Sequence, residues 1–159
     1  MIEAQLELPT AADTRSLGAR IGRCARAGDL VLLSGPLGAG KTVLAQGIGA
    51  GLGVQSGVIS PTFVLARVHR KGRLPYVHVD AYRLGGLAEL DDLDLDSDLA
   101  ESVTVVEWGE GLAERLAAEH LHVRLAGTPG SDVRTAILRS AGPGWMQRFP
   151  AFTGASGAG

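Results

Sequence analysis

The sequence feature that most constrains the fold is a glycine-rich loop, GPLGAGKT at residues 35–42. It fits the phosphate-loop pattern of a glycine, four residues and then Gly-Lys-Thr. The apolar run at 29–34 before it is typical of a buried parallel strand, and apolar residues recur at helical spacing after it. Glycines allow backbone N–H groups to turn towards an anion, and a helix start adds partial positive charge. The pattern predicts a phosphate cradle made by Gly35, Leu37, Gly38, Ala39 and Gly40.

The end of the loop supplies the two side chains that a nucleoside triphosphate requires. Lys41 is expected to reach the β and γ phosphates, and the Thr42 hydroxyl is expected to bind Mg²⁺. The dinucleotide-binding fingerprint is excluded, because Gly38-Ala39-Gly40 is not followed by the third glycine that this fingerprint requires.

Composition limits the organisation and the compartment. A length of 159 residues with 45% hydrophobic content favours a single phosphate-loop domain, residues 1–140, and the glycine-rich end, 141–159, is predicted to be disordered. A net charge of −2 argues against a general nucleic-acid-binding surface. The single Cys24, the absence of a signal segment and the lack of 18 consecutive apolar residues predict a cytoplasmic protein without a membrane span.

Patterning predicts the remaining elements. Apolar alternation over 2–8 indicates an edge strand, and Thr10 with Asp13 forms a helix-start signal for a helix that ends near Gly28. Glycines at 47, 49, 51 and 53 predict a frayed end to the helix after the phosphate loop. An antiparallel hairpin is predicted at 62–69 and 74–82, a short helix at 111–118, and strands at 120–126 and 132–139.

Two predicted strands carry acids at positions suited to phosphate chemistry. In the hairpin, His78, Asp80 and Tyr82 share one face; a lone histidine is most simply structural, but a carboxylate in a valine-rich strand needs a metal, a cation or water. The β-branched run at 102–106 ends in Glu107, which resembles the acid that supports Mg²⁺ in phosphate-loop proteins, directly or through water.

Other polar residues leave alternatives open. Thr62, after Pro61, either helps to hold the metal or the γ-phosphate and signals which nucleotide is bound, or lies in a plain turn with a solvated hydroxyl. Trp108 is either a core anchor or a nucleotide neighbour. His120 and His122 share a face but lack a third ligand for a metal. The acidic segment 89–101 fails the calcium-loop pattern and is a solvated face or a docking surface.

Taken together, four segments resemble one family over residues 5–140, the TsaE or YjeE ATPases of bacterial tRNA threonylcarbamoyladenosine biosynthesis. They are the phosphate loop, Ser60-Pro61-Thr62-Phe63, the HVDAYRL run at 78–84, and Val106-Glu107-Trp108. The resemblance implies an α/β fold, a P-loop NTPase-like three-layer sandwich with a mixed parallel and antiparallel sheet. It also implies ATP and Mg²⁺ as cofactors and slow ATP hydrolysis.

The same resemblance implies partners and residue roles. The partners are a TsaD-like threonylcarbamoyl transferase and its TsaB-like subunit, with an indirect role towards tRNAs that read codons beginning with adenine. Lys41, Thr42 and Glu107 hold phosphates and metal, Asp80 orients or activates water, and Thr62 senses the γ-phosphate. More loosely, Thr10 contacts the base and Arg134 approaches the nucleotide, whereas Arg83 and Trp108 have less defined roles.

Two other functions remain compatible with the sequence alone. One is a small-molecule phosphate-loop kinase, although no arginine-rich lid follows the loop, and the other is a non-catalytic, nucleotide-gated binding module. A GTPase is disfavoured, because the only lysines, Lys41 and Lys71, do not lie in an Asn-Lys-x-Asp segment.

Overall fold

A computed structural model describes residues 2–36, 39–54, 66–69, 72–80, 101–107, 119–127 and 130–154. Within these ranges seven strands form one sheet and three helices pack beside it. In chain order the elements are β1 Ile2–Leu8, α1 Ala11–Cys24, β2 Leu30–Ser34, α2 Lys41–Gly51, β3 Ala66–His69, β4 Tyr76–Asp80, β5 Val103–Glu107, β6 His120–Gly127, β7 Arg134–Ala141 and α3 Pro143–Thr153.

The sheet is mixed, with the strand order β1-β7-β6-β2-β5-β4-β3. The central strands β6, β2, β5 and β4 are parallel, whereas β1, β7 and β3 join their neighbours antiparallel. Because the carboxyl ends of parallel strands meet at one edge of a sheet, β2, β4 and β5 deliver their last residues to the same edge. The predicted mixed sheet is confirmed, and so is the antiparallel pairing of the hairpin strands, β3 with β4.

Both faces of the central strands are buried, as in a three-layer sandwich. Towards the helices, Val31 and Leu33 alternate with residues of the opposite face and join the main core. On the opposite face, Leu32, Val79 and Val106 are also fully buried. A strand buried on both sides reads as a continuous apolar run, which explains the LVLL sequence of β2.

Helix α1 begins at a capping box, as its sequence predicts. The Asp13 amide donates to the Thr10 hydroxyl at 3.2 Å, and the Thr10 amide donates to the Asp13 carboxylate at 2.9 Å. The two contacts satisfy backbone and side-chain groups at the amino end of the helix. The chain then leads from α1 into β2 and the phosphate loop.

Glycines bring α1 and α2 into backbone contact. A Cβ at Gly18 would lie 2.4 Å from the Leu44 carbonyl oxygen, and one at Gly22 would lie 2.2 Å from that of Ile48. The glycines of α2 do the same from the other side: a Cβ at Gly47 or Gly51 would lie 2.3 Å from a carbonyl oxygen of α1. Where the sequence predicted a frayed end, α2 continues as helix to Gly51, and its glycines Gly47 and Gly51 form the contact with α1.

The carboxyl end also differs from its prediction. Residues 143–153, predicted as part of a disordered tail, form α3, which buries Trp145, Phe149 and Phe152 in the main core. The Arg148 guanidinium makes two hydrogen bonds to the Asp29 carboxylate, at 2.6 and 3.0 Å, and a third to the Cys24 carbonyl oxygen. Glycine and proline at 142–144 suggested disorder, but they begin the helix: Gly142 is its N-cap and Pro143 its first residue.

Several predicted segments lie outside the described residues. They are the helix at 111–118, most of the acidic segment 89–101, the Lys71 side of the hairpin turn and the last residues, 155–159. Among the helices that the structure describes, none combines the length and the hydropathy that crossing a membrane requires.

Candidate functional site

The phosphate loop leaves β2 at Ser34 and enters α2 at Lys41. Gly35 has φ 138°, and a Cβ there would lie 2.3 Å from the Leu125 carbonyl oxygen. Gly40 has φ 98° and is the N-cap of α2, a residue that has no side chain with which to cap the helix. Left-handed geometry at both positions, and close backbone contact at Gly35, explain the need for glycine there.

The Lys41 side chain folds back across this loop. Its ammonium donates to the carbonyl oxygens of Gly35 at 2.8 Å and Pro36 at 2.9 Å, and the residue is 5% exposed. A buried ammonium beside the amino end of a helix concentrates positive charge at one point. Thr42, in the first turn of α2, is half-buried beside it.

Two acidic residues end the strands beside the loop. Glu107 is the last residue of β5, Asp80 is the last residue of β4, and the two are paired in the sheet register. Glu107 is also paired with Leu33 of β2, two residues before Gly35. The structure therefore brings Glu107 and the Asp80 backbone to the edge that carries the loop; the Asp80 side chain lies outside what the structure describes.

Glu107 has a histidine partner. His78 Nε2 lies 2.5 Å from Glu107 Oε2, and the two residues are 0% and 4% exposed. One strand position earlier on this face, Tyr76 is fully buried and its hydroxyl donates to the Ala45 carbonyl oxygen of α2 at 2.8 Å. Burial, and then the negative charge of Glu107, raises the pKa of Tyr76 well above 10.0.

Arg134 joins the last strand to the loop. Its Nε donates to the Ala39 carbonyl oxygen at 3.1 Å, and its Nη1 donates to the carbonyl oxygens of Ser131 and Val133. Beside this arginine lies a cavity of about 150 Å³ at the amino ends of α1 and α2. Its walls are Ala11, Thr14, Gly40, Val43, Asp132 and Arg134.

The predicted site residues fall into three groups. Lys41, Thr42, Ala39, Gly35, Gly40 and Arg134 gather at the loop, with Glu107 and the Asp80 backbone at the adjoining sheet edge. Thr10 uses its hydroxyl in the capping box and directly precedes Ala11 of the cavity wall. The remaining predicted residues, Leu37, Gly38, Thr62 and Trp108, lie outside the described ranges, as does Arg83.

Two features escaped prediction. The first is Thr14, whose buried Oγ1 has no hydrogen-bond partner among the described residues and which lines the cavity. Only its position one turn after the Thr10 cap could have indicated it. The second is the contact between His78 and Glu107, which the shared face of His78 and Asp80 could have suggested once β4 was placed beside β5.

Strand β6, which carries His120 and His122, lies beside the strand that leads into the phosphate loop. His122 Nε2 lies 2.7 Å from the Ser34 hydroxyl. Within the described ranges, no group of three His, Cys, Asp or Glu side chains could hold a metal ion.

The fold and the loop define a protein of the P-loop NTPase-like class, in which a strand, a glycine-rich loop and a helix form the phosphate site. The family model described as "Threonylcarbamoyl adenosine biosynthesis protein TsaE" matches residues 8–135. The chain belongs to this TsaE family.

Individual relatives and a solved structure agree with this family assignment. The chain is 56% identical over 138 residues to the tRNA threonylcarbamoyladenosine biosynthesis protein TsaE of Mycobacterium tuberculosis, covering 81% of this chain and 82% of the relative. It is 53% identical over 137 residues to the Streptomyces coelicolor protein of the same name, covering 82% of this chain and 93% of the relative. The crystal structure of Bacillus subtilis YdiB matches with a TM-score of 0.75 at 26% identity, covering 97% of this chain and 96% of that one.

Proposed function

We propose that this chain binds ATP with Mg²⁺ at the loop 35–42 and hydrolyses it slowly, and that this activity supports the formation of threonylcarbamoyladenosine in tRNA. The observation that carries the proposal is the Lys41 ammonium, held by the carbonyl oxygens of Gly35 and Pro36 at the uncapped amino end of α2. A cation at the amino end of a helix suits a chain of phosphates better than any neutral ligand.

The residues present fit a magnesium ion bound with the nucleotide. Thr42 offers a hydroxyl and Glu107 a carboxylate, the hard oxygen donors that Mg²⁺ prefers. When bound, the ion would neutralise charge on the β and γ phosphates. Lys41 and the loop amides would stabilise the charge that develops on the leaving phosphate, and Asp80 at the neighbouring strand end would orient the attacking water.

The cavity beside Arg134 is the natural place for the nucleoside. It adjoins Gly40 of the loop and is lined by the apolar residue Val43 together with Thr14 and Asp132. A mostly apolar pocket with a few polar groups suits a base and a ribose. Thr62 and Trp108 stay predicted contacts of the nucleotide.

The partners follow from the family. The relatives named above carry the name of tRNA threonylcarbamoyladenosine biosynthesis, so we assign this chain the same pathway, beside a TsaD-like transferase and a TsaB-like subunit. A small phosphate-loop protein often lacks part of the hydrolytic machinery, and a partner that completes it accelerates turnover strongly. Contact with tRNA would be indirect.

Released phosphate tests the proposal. Turnover of ATP should be slow for the chain alone and rise about tenfold or more with both partners present. It should fall in Glu107→Gln but not in Arg124→Ala, an exposed arginine on β6. Turnover unchanged by the partners would contradict the partnership, and no release with or without them would contradict the activity.

A further inference from the structure

The contact between His78 and Glu107 crosses two parallel strands. In the register of β4 with β5, His78 is paired with Val105 and Glu107 is paired with Asp80, so the two side chains are diagonal neighbours on one face. His78 Nε2 and Glu107 Oε2 lie 2.5 Å apart, within direct hydrogen-bond reach. An ionised carboxylate only accepts hydrogen bonds, so the imidazole Nε2–H is the donor.

Glu107 is the hydrogen-bond partner that the structure describes for the His78 imidazole. Its Nδ1 atom is buried and has no hydrogen-bond partner among the residues that the structure describes. Leaving a polar atom unpaired in a core costs stability, and an apolar residue of similar shape would avoid that cost. The polar chemistry described for this imidazole is therefore directed at Glu107.

The imidazole is held in place by the helix that follows the phosphate loop. The Tyr76 ring meets the His78 ring edge to face, with 6.2 Å between centroids, and the Tyr76 hydroxyl is anchored on Ala45 of α2. These contacts run from α2 through Tyr76 and His78 to the Glu107 carboxylate. They fix that carboxylate relative to the helix that begins with Lys41 and Thr42.

We propose that His78 is a positioning residue that holds Oε2 of Glu107, so that the second carboxylate oxygen serves the magnesium ion or a water bound to it. The inference rests on the proposed function, because it assigns the ion to Glu107. Outer hydrogen bonds of this kind orient metal-binding side chains and typically change metal affinity by about 10-fold to 100-fold when removed.

Nucleotide binding with and without magnesium tests this role separately from turnover. Calorimetry would give the affinity of the folded chain for ATP in EDTA and in Mg²⁺, and the ratio of the two measures the contribution of the ion. The variants are His78→Leu, which removes the donor, His78→Gln, whose amide can replace Nε2–H, and His78→Asn, whose amide is too short to reach Oε2. Thermal unfolding of each variant reports any change in stability.

We expect His78→Leu and His78→Asn to reduce the ratio of ATP affinity in Mg²⁺ to that in EDTA by about tenfold. Their affinity in EDTA should stay within about twofold of the parent. His78→Gln should restore most of the ratio. A merely structural role would lower both affinities together and leave their ratio unchanged, which would overturn the proposal. If His78→Leu does not fold, the affinity ratios of His78→Gln and His78→Asn alone decide whether His78 positions Glu107. A parent chain that binds no ATP would instead refute the proposed function.

Discussion

Arg134 Nε donates a hydrogen bond of 3.1 Å to the carbonyl oxygen of Ala39, so strand β7 holds the loop that leads into α2. The same guanidinium forms one wall of the cavity beside Gly40. A side chain that both supports the loop and faces the cavity is placed to affect nucleotide affinity.

The first prediction concerns this arginine. Arg134→Ala should weaken ATP binding about tenfold, or about 1.4 kcal/mol, because the loop loses a support and the cavity loses a cation. Arg139→Ala is the matched control, since Arg139 lies on the opposite face of β7 and pairs with Glu3. Equal affinities of the two variants in a nucleotide titration would refute this role of Arg134.

The second prediction concerns the contact of α1 with α2. Gly22→Ala should lower the free energy of unfolding by about 1–3 kcal/mol, because the new Cβ would meet the Ile48 carbonyl oxygen. This change opposes the usual gain of about 1 kcal/mol for alanine over glycine in a helix. Urea unfolding measures it, with Ser16→Ala on the exposed side of α1 as the control. A stabilised Gly22→Ala protein would contradict the close contact.

The third prediction concerns the carboxyl-terminal helix. Arg148→Ala should cost about 3 kcal/mol of stability, because it leaves the nearly buried Asp29 carboxylate without its cation. Adding Asp29→Ala should cost much less than the sum of the single changes, since no unpaired charge then remains. Strictly additive losses in chemical denaturation would mean that the ion pair does not couple α3 to the start of β2.

The fourth prediction is a dependence of stability on pH above 10. Burial and Glu107 raise the pKa of Tyr76 in the folded chain, so the unfolded chain loses this proton first as pH rises. The tyrosine contribution is fully present below about pH 10 and is lost above it, by up to about 1.4 kcal/mol per pH unit. Unfolding curves from pH 9 to pH 11 should show this extra slope in the parent and not in Tyr76→Phe. Identical slopes would contradict the burial of an un-ionised hydroxyl.

Local patterns predicted much of this fold because local physics determines those parts. The phosphate loop, the Thr10 capping box and the alternating strand β1 each depend on neighbours within a few residues, and the sequence shows them directly. The antiparallel hairpin was predicted from its turn and strand pattern, whereas the three-layer architecture was predicted through the family resemblance, which carries information about long-range pairing that periodicity lacks.

The features that escaped prediction depend on residues far apart in the chain. The glycines of α2 are weak helix formers by local propensity, and only the packing of α1 against α2 explains them. Glycine and proline at 142–144 indicate disorder locally, but Trp145 and Phe152 are buried in the core. The bond between His78 and Glu107 needs the pairing of β4 with β5, which no spacing within one strand reveals. The Glu107 carboxylate itself was identifiable, but its histidine partner was not.

The most direct test of the account is calorimetric titration of the folded chain with ATP and magnesium, alongside Lys41→Ala and Lys71→Ala. We predict binding by the parent and by Lys71→Ala, and affinity weaker by about 100-fold in Lys41→Ala, because the phosphates lose the ammonium at the loop. No heat of binding by the folded parent, or unchanged affinity in Lys41→Ala, would contradict it.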